Sequence, residues 1–113
     1  MNGDTSRLGV IETEGAGPPI VLLHGFGGCA QTWQLVQERL GRRTLAFDLP
    51  GHSGSLTYPG FGNASFAAKA LTRELDQRGI SSFHLVGHSM GGATAALVAM
   101  RNPQRLNSLT LLA

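Results

Sequence analysis

Apolar residues occur along this chain in two patterns, one typical of strands and one typical of helices. Three short runs are almost continuously apolar, as in strands that are buried on both faces of a parallel sheet. A fourth apolar run closes the sequence, and near the start of the chain Arg7–Glu14 alternates apolar and polar residues, which predicts a half-buried strand near a sheet edge. The four apolar runs predict strands at Ile20–Leu23, Thr44–Phe47, Phe83–Val86 and Leu109–Ala113.

Between the runs, apolar residues recur every three or four positions, which predicts three helices. They extend from about Gln31 to Leu40, from about Ser65 to Arg78 and, in an Ala-rich stretch, from about Ala93 to Arg101. Strands that alternate with helices predict an α/β fold, a three-layer α/β/α sandwich around a mostly parallel sheet. The side chains predicted to face that sheet are Trp33, Val36 and Leu40 in the first helix and Phe66, Ala67, Ala70, Leu71 and Leu75 in the second.

Composition limits the class of protein. The chain has 113 residues, of which 42% are hydrophobic and 14% are charged, so its length and apolar content suit one folded domain and not a disordered segment. No apolar run approaches the roughly 20 residues of a membrane-spanning helix, and the first residues lack the features of a secretory signal. The single Cys29 excludes an internal disulfide, which favours a cytoplasmic location.

Charge and titratable residues exclude further classes. The net charge is +2, and the basic residues are scattered apart from Arg42 and Arg43, a pair more typical of a solvated surface than of a nucleic-acid-binding stripe. The four histidines match no metal-ligand spacing, and Cys29 has no thiol partner. We therefore expect no nucleic-acid partner, no metal and no cofactor.

Glycine is unusually frequent, at 16 of 113 residues against a typical share of about 7%. Three glycine clusters follow directly after predicted strands, where the backbone must turn tightly or approach a ligand. Ligands of parallel sheets bind outside the carboxyl ends of the strands. We therefore predict that His24-Gly25, Asp48-Leu49 and His88-Ser89 converge on one site.

The segment Gly87-His88-Ser89-Met90-Gly91 has the G-x-S-x-G pattern and stands between a predicted strand and a predicted helix. In a nucleophile elbow, this pattern places a serine hydroxyl on a sharp strand-to-helix turn. Small residues are required two positions before and after the serine, and Gly87 and Gly91 meet this requirement. We interpret Ser89 as the candidate nucleophile, with His88 supporting the turn. The alternative is a glycine-rich turn whose serine caps the helix.

A second segment, His24-Gly25-Phe26-Gly27-Gly28, follows the first buried strand. Acyl transfer generates an oxyanion, which preorganised backbone N–H groups stabilise. The Met90 N–H at the start of a helix is one candidate donor, and the Phe26 N–H is the second, because Gly25 lets the backbone face the site. A dinucleotide-binding turn is the alternative, but the segment lacks the complete G-x-G-x-x-G spacing.

A third segment runs from Asp48 to Ser55 and reads D-L-P-G-H-S-G-S. We favour a structural role for Asp48, in which its carboxylate helps to organise a loop, over direct catalysis. No histidine of the chain is a credible base for Ser89. His84, for example, lies five residues earlier in the same strand, about 17 Å away. The other three are His24, His52 and His88.

Together the three segments resemble the N-terminal half of the α/β-hydrolase superfamily, in its esterase- and lipase-like branch. The sequence of residues 84–92 and 108–111 is also similar to that of the hydrolase-like domain attached to acetoin dehydrogenase acyltransferase subunits. The resemblance implies an α/β-hydrolase fold in which Ser89 is the nucleophile and Phe26 and Met90 supply the oxyanion hole. It departs from the family pattern D-L-P-G-H-G-x-S at Ser53, which replaces a glycine.

The family places its catalytic acid and then its histidine after the serine, yet no Asp, Glu or His follows Ser89 here. The resemblance therefore implies that residues 1–113 form a single partial hydrolase domain, without the last strands and the lid. We expect a serine hydrolase of small-molecule acyl substrates. An acyltransferase, and an inactive fragment or interaction half-domain, are alternatives. Because the final strand would be an exposed apolar edge, we also expect self-association through it.

Overall fold

A computed structural model describes residues 7–56 and 63–113. In these two ranges the chain forms five strands, three α-helices and three short 3₁₀ helices. The strands are β1 (Val10–Thr13), β2 (Ile20–Leu23), β3 (Thr44–Phe47), β4 (Phe83–His88) and β5 (Leu106–Leu112). The α-helices are α1 (Gln34–Leu40), α2 (Ala64–Gln77) and α3 (Met90–Arg101), and the 3₁₀ helices are Ala30–Trp33, Ser53–Ser55 and Pro103–Arg105.

The strands form one sheet in the order β1-β3-β2-β4-β5. Strand β1 is antiparallel to β3 and the other pairs are parallel, so the sheet is mostly parallel, as predicted. Leu23 at the end of β2 pairs with Phe47 of β3 and with Gly87 of β4. The carboxyl ends of the three central strands are therefore level, and the residues that follow them share one edge of the sheet.

Helices cover both faces of this sheet. Successive residues of a strand point to opposite faces, so neighbouring residues of β2 contribute to different cores. Val21 and Leu23 belong to the larger apolar core, which β2 shares with α2 and α3. Leu22, between them, belongs to a smaller core on the other face with Ala30 and Trp33. The predicted three-layer sandwich is thus confirmed. None of the helices in the described ranges is both long enough and apolar enough to cross a membrane.

All three helices begin earlier than predicted, α2 by a single residue, at Ala64. The first starts with a 3₁₀ helix at Ala30, because the Asp48 carboxylate accepts the Ala30 N–H at 2.7 Å and fixes the first turn. Helix α3 starts at Met90 instead of Ala93, because the Ser89 carbonyl accepts two N–H groups of the first helical turn.

The two outer strands also differ from their predicted extents. Strand β1 is shorter than predicted. The Leu8 N–H donates to Glu74 and the Gly9 N–H donates to the Ser55 hydroxyl, so neither N–H group is available for a hydrogen bond to a neighbouring strand. Strand β5 is longer and starts at Leu106, because it pairs along the whole length of β4. The bounds of the remaining elements agree with prediction within two residues.

Strand β5 lies at one edge of the sheet in the described structure, as the sequence led us to expect. Leu109, Leu111 and Leu112 keep 40%, 52% and 45% of their surface exposed. Val36 and Leu40 of α1, which we predicted to face the sheet, also remain about two-fifths exposed. They line an open apolar groove together with residues of β2, β4 and β5. The α1 face of the sheet is therefore less covered than the α2–α3 face.

A buried carboxylate, Glu74 of α2, ties residues 7 and 8 to the helical layer. Its Oε2 atom accepts hydrogen bonds from the Arg7 guanidinium at 2.8 and 3.0 Å and from Arg78 at 2.8 Å. Its Oε1 atom accepts the Leu8 N–H at 3.1 Å. Burial opposes the charge on Glu74, but these hydrogen bonds outweigh it and hold the pKa of Glu74 below its usual value.

Replacing Glu74 with Gln should lower the free energy of unfolding at pH 7 by about 1–3 kcal/mol, the usual cost of leaving buried hydrogen-bonding groups without partners. Because the folded-state pKa of Glu74 lies below its unfolded-state pKa, the stabilisation is complete above the unfolded value. It is lost as the pH falls through the folded value. Urea unfolding of both proteins over the acid range measures this effect. A difference in stability that stays constant as the pH falls would contradict it.

Candidate active site

Ser89 lies at the turn between β4 and α3 in a strained backbone conformation. Its φ and ψ are 56° and −116°, and only one other non-glycine residue in the described ranges has a positive φ. Such a conformation costs on the order of 1–3 kcal/mol and persists only where the surroundings enforce it. Here the Ser89 N–H donates to the Leu112 carbonyl of β5 at 2.9 Å, and the side chain is left exposed.

Helix α3 approaches both β4 and the end of β2 so closely that Gly87 and Gly91 have no room for a side chain. A Cβ atom on Gly87 would lie 2.8 Å from the Cα of Gly92, and one on Gly91 would lie 2.5 Å from the Leu23 carbonyl oxygen. Nonbonded carbon contacts this short do not occur, so glycine is required at both positions. This is the close packing that the sequence predicted, and it also brings the start of α3 against the end of β2.

The loop after β2, Gly25–Gly28, forms a type II turn. The Gly28 N–H donates to the Gly25 carbonyl at 3.0 Å, and Gly27, at the third position, has a φ of 77°, which favours glycine. Gly25 lies directly against the β4–α3 turn. A Cβ atom on it would be 3.3 Å from the Cβ of Ser89 and 3.1 Å from the Nδ1 of His88. The structure thus brings together two of the predicted segments.

Within the described residues, the N–H groups of the two predicted oxyanion donors have no hydrogen-bond partner, and both residues line one cavity. Phe26 is the second residue of the type II turn, and its N–H makes no hydrogen bond to residues 7–56 or 63–113. Met90 is the first residue of α3, where an N–H has no partner within its own helix. Both residues line a cavity of about 260 Å³. The other lining residues are Leu49, Pro50, Gly51, His52, Asn63 and Ala67.

Asp48 follows β3, is buried and fixes two loops at once. Its Oδ1 atom accepts the Ala30 N–H at 2.7 Å, and its Oδ2 atom accepts the Gly54 N–H at 3.2 Å. Its backbone carbonyl accepts the Ser55 hydroxyl at 2.6 Å, and that hydroxyl accepts the Gly9 N–H at 2.9 Å. These contacts agree with the structural role that we favoured for Asp48 from the sequence.

Two histidines join the same two loops through their Nε2 atoms. His24 Nε2 accepts the Leu49 N–H at 3.0 Å, and His52 Nε2 accepts the Gly27 N–H at 2.9 Å. Each ring therefore carries its proton on Nδ1, which donates to a nearby carbonyl oxygen. Burial lowers the pKa of His24, which keeps its ring neutral as this bond requires. These roles were not predicted from the sequence, where the histidines were considered as metal ligands and as bases for Ser89 but not as acceptors of backbone N–H groups.

The remaining two histidines do not form a catalytic pair with Ser89. The His84 Nδ1 atom makes a hydrogen bond with the Ser108 hydroxyl of β5 at 2.7 Å. His88 is exposed at the end of β4, beside Gly25. In the part of the chain that the structure describes, no hydrogen bond joins a histidine to Ser89.

A mostly parallel sheet with helices on both faces, and with a strained serine between strand and helix at its carboxyl edge, is the architecture of an α/β-hydrolase fold. The family model described as alpha/beta hydrolase fold matches residues 18–113, and the chain belongs to this family. The described structure is similar to that of a thermophilic esterase from Thermogutta terrifontis, with a TM-score of 0.83 and 31% sequence identity. The match covers 92% of this chain and 39% of the esterase.

Curated relatives include proteins of two kinds. The chain is 42% identical over 99 residues to the dihydrolipoyllysine-residue acetyltransferase component of the acetoin cleaving system of Pseudomonas putida, covering 86% of this chain and 27% of the relative. It is 42% identical over 83 residues to 2-succinyl-6-hydroxy-2,4-cyclohexadiene-1-carboxylate synthase of Salmonella agona, covering 73% of this chain and 32% of the relative. The chain thus spans roughly a third or less of the length of these relatives.

Ser53 is the second non-glycine residue with a positive φ in the described ranges, at 40°. It opens the 3₁₀ helix Ser53–Ser55. Residues 52–63 are polar and glycine-rich, for which the sequence predicts a loop, and residues 57–62 lie outside the described residues. The family pattern has glycine at position 53. The residue type differs here, but the backbone still has the positive φ that favours glycine. The substitution therefore introduces strain that glycine would not have.

Replacing Ser53 with Gly should raise the free energy of unfolding by about 0.5–1 kcal/mol, because glycine adopts a positive φ without steric cost. Ser81, an exposed loop serine without a positive φ, is the matched control, and Ser81→Gly should leave stability unchanged or lower it. Chemical denaturation of the three proteins provides the comparison. Equal effects of the two substitutions would show that Ser53 is not strained.

Proposed function

We propose that this chain carries the nucleophile and the oxyanion-binding groups of a serine hydrolase that cleaves carboxylic esters or related small-molecule acyl compounds. The observation that supports this most directly is the backbone of Ser89, which has the geometry of a nucleophile elbow. A serine that only caps a helix has an extended backbone and a side chain bonded to the helix. Ser89 has a positive φ, and its side chain makes no capping hydrogen bond.

In the proposed reaction, the Ser89 hydroxyl oxygen attacks the substrate carbonyl carbon and the alcohol departs, which leaves an acyl group on Ser89. Water then attacks the acyl group, and release of the carboxylic acid regenerates the serine. In both steps the carbonyl oxygen becomes an oxyanion. The N–H groups of Phe26 and Met90 are suited to stabilise it, and the amino-terminal end of α3 contributes a positive partial charge.

The proton of Ser89 must pass to a base. His24 and His52 already accept backbone N–H groups through Nε2, and His84 is bonded to Ser108. We infer that the base and its acidic partner are supplied by the part of the hydrolase that the longer relatives possess and that this chain does not cover. The contribution of this chain is the nucleophile and the oxyanion site.

The cavity beside the oxyanion donors indicates the kind of substrate. Its volume is about 260 Å³, and its walls include the apolar side chains of Phe26, Leu49, Ala67 and Met90. No charged Asp, Glu, Lys or Arg side chain lines it in the described part of the chain. These properties suit a short apolar acyl or alkyl group, which gains free energy by leaving water.

Acyl transfer is a second candidate, because one relative is named as an acetyltransferase component. The acyl-enzyme on Ser89 would be the same, and a thiol or an alcohol would replace water in the second step. The two candidates therefore share every group described above and differ only in the acceptor.

Ser89→Ala should abolish labelling of the full-length natural protein by a fluorophosphonate probe, which phosphonylates activated serines. Its hydrolysis of p-nitrophenyl butyrate should fall by at least about 10³-fold, because no other group of the site can replace the nucleophile. Ser81→Ala, in an exposed loop, should leave both unchanged.

Three other results are informative. Labelling that persists in Ser89→Ala would disprove the proposed nucleophile. A wild-type protein that neither reacts with the probe nor hydrolyses esters would favour an inactive interaction domain. Faster release of p-nitrophenol when a thiol acceptor is added, together with formation of the thioester, would favour acyl transfer.

A further inference from the structure

We propose that His52 is a positioning residue, which holds the oxyanion loop Gly25–Gly28 in its productive conformation through the Gly27 N–H. This inference rests on the proposed function, because it concerns the orientation at that site of the peptide group between Phe26 and Gly27. It assigns to His52 a role other than proton transfer.

The position of the His52 ring is determined from several sides. Its Nε2 atom accepts the Gly27 N–H at 2.9 Å, and its Nδ1–H donates to the Pro50 carbonyl at 3.2 Å. Its ring centroid lies 4.8 Å from that of His24 and 5.8 Å from that of Phe26, in an edge contact. His52 therefore reaches from the loop after β3 and contacts both the backbone and the side chain of the oxyanion loop.

The importance of this bond follows from the geometry of a type II turn. Its central peptide group, between Phe26 and Gly27, can rotate by half a turn to give the type I form, and the two forms differ mainly in that rotation. In the observed form, the Gly27 N–H points to His52, which lines the cavity together with Phe26 and Met90. In the rotated form, the Phe26 carbonyl would point to the same side.

A carbonyl oxygen on the cavity side would repel the oxyanion that the site is proposed to stabilise. An imidazole Nε2 that accepts a hydrogen bond selects against this arrangement, because two acceptors cannot bond to each other. Glycine at position 27 has no side chain to favour either form, so the selection depends on His52. Loss of the acceptor should therefore weaken binding of the transition state more than binding of the substrate.

The test compares His52→Leu, which removes the acceptor, with His52→Gln, whose side-chain oxygen can accept the same N–H. In the full-length natural protein, His52→Leu should lower kcat for p-nitrophenyl butyrate by about 10-fold, a fraction of the 10²–10³-fold cost of deleting an oxyanion donor. Its KM should change less than about twofold, and His52→Gln should recover most of kcat. His84→Leu, a substitution of a histidine away from the loop, should leave kcat within about twofold.

A second measurement does not depend on activity. In ¹⁵N-labelled protein, the Gly27 amide proton should shift upfield and exchange faster with solvent in His52→Leu, and should stay near its wild-type values in His52→Gln. If His52→Leu does not fold, the comparison of wild type with His52→Gln still tests the bond, because a Gly27 amide that loses its protection in His52→Gln contradicts the acceptor role.

The possible failures are distinguishable. If Ser89→Ala loses activity while His52→Leu keeps its kcat, or if His52→Gln loses as much as His52→Leu, only the positioning role is overturned. If Ser89→Ala keeps activity, the proposed function fails, and the role of His52 at that site fails with it.

Discussion

The arrangement of the loops at the carboxyl edge of the sheet depends on the hydrogen bonds that the buried Asp48 carboxylate accepts. Each of its oxygens accepts a backbone N–H, from Ala30 and from Gly54, so protein dipoles replace the water that the charge would otherwise require. The packing around it is so tight that a Cβ atom on Gly9 would lie 2.5 Å from its Oδ2 atom. Three distant segments are thereby held around one group, and the loops after β2 and β3 keep a fixed relative position.

The elements that could be predicted from the sequence are those for which the structure permits few residue types. Strands β2 and β3 are buried on both faces, so their positions show as continuous apolar runs with the bounds that the structure has. The turn at Ser89 could be predicted for a steric reason, because Gly87 and Gly91 occupy positions where any Cβ atom would collide with backbone. Sequence patterns of this kind reflect steric exclusion, which permits only glycine at these positions.

The elements that could not be predicted depend on contacts between distant parts of the chain. The first turn at Ala30, for example, is fixed by the carboxylate of Asp48, which lies 18 positions away in the chain. The bond from Gly27 to His52 joins residues 25 positions apart. Nothing in the local pattern shows that the Nε2 atom of His52 will accept a hydrogen bond instead of donating one, because its partner is supplied only by the folded loop.

The pairing of β2 with β4 has a consequence for when the site comes into existence during folding. Ile20 pairs with His84, which lies 64 positions later in the chain (84 − 20), so β4 must be synthesised before the two strands can meet. Such contacts form slowly, because the chain loses conformational entropy in closing the long loop before the paired strands stabilise it. Until then nothing enforces the positive φ of Ser89 or keeps Gly25 of the loop after β2 beside it. In the nascent polypeptide Ser89 is therefore a serine like any other, and its strained backbone conformation is acquired late, as a property of the assembled sheet.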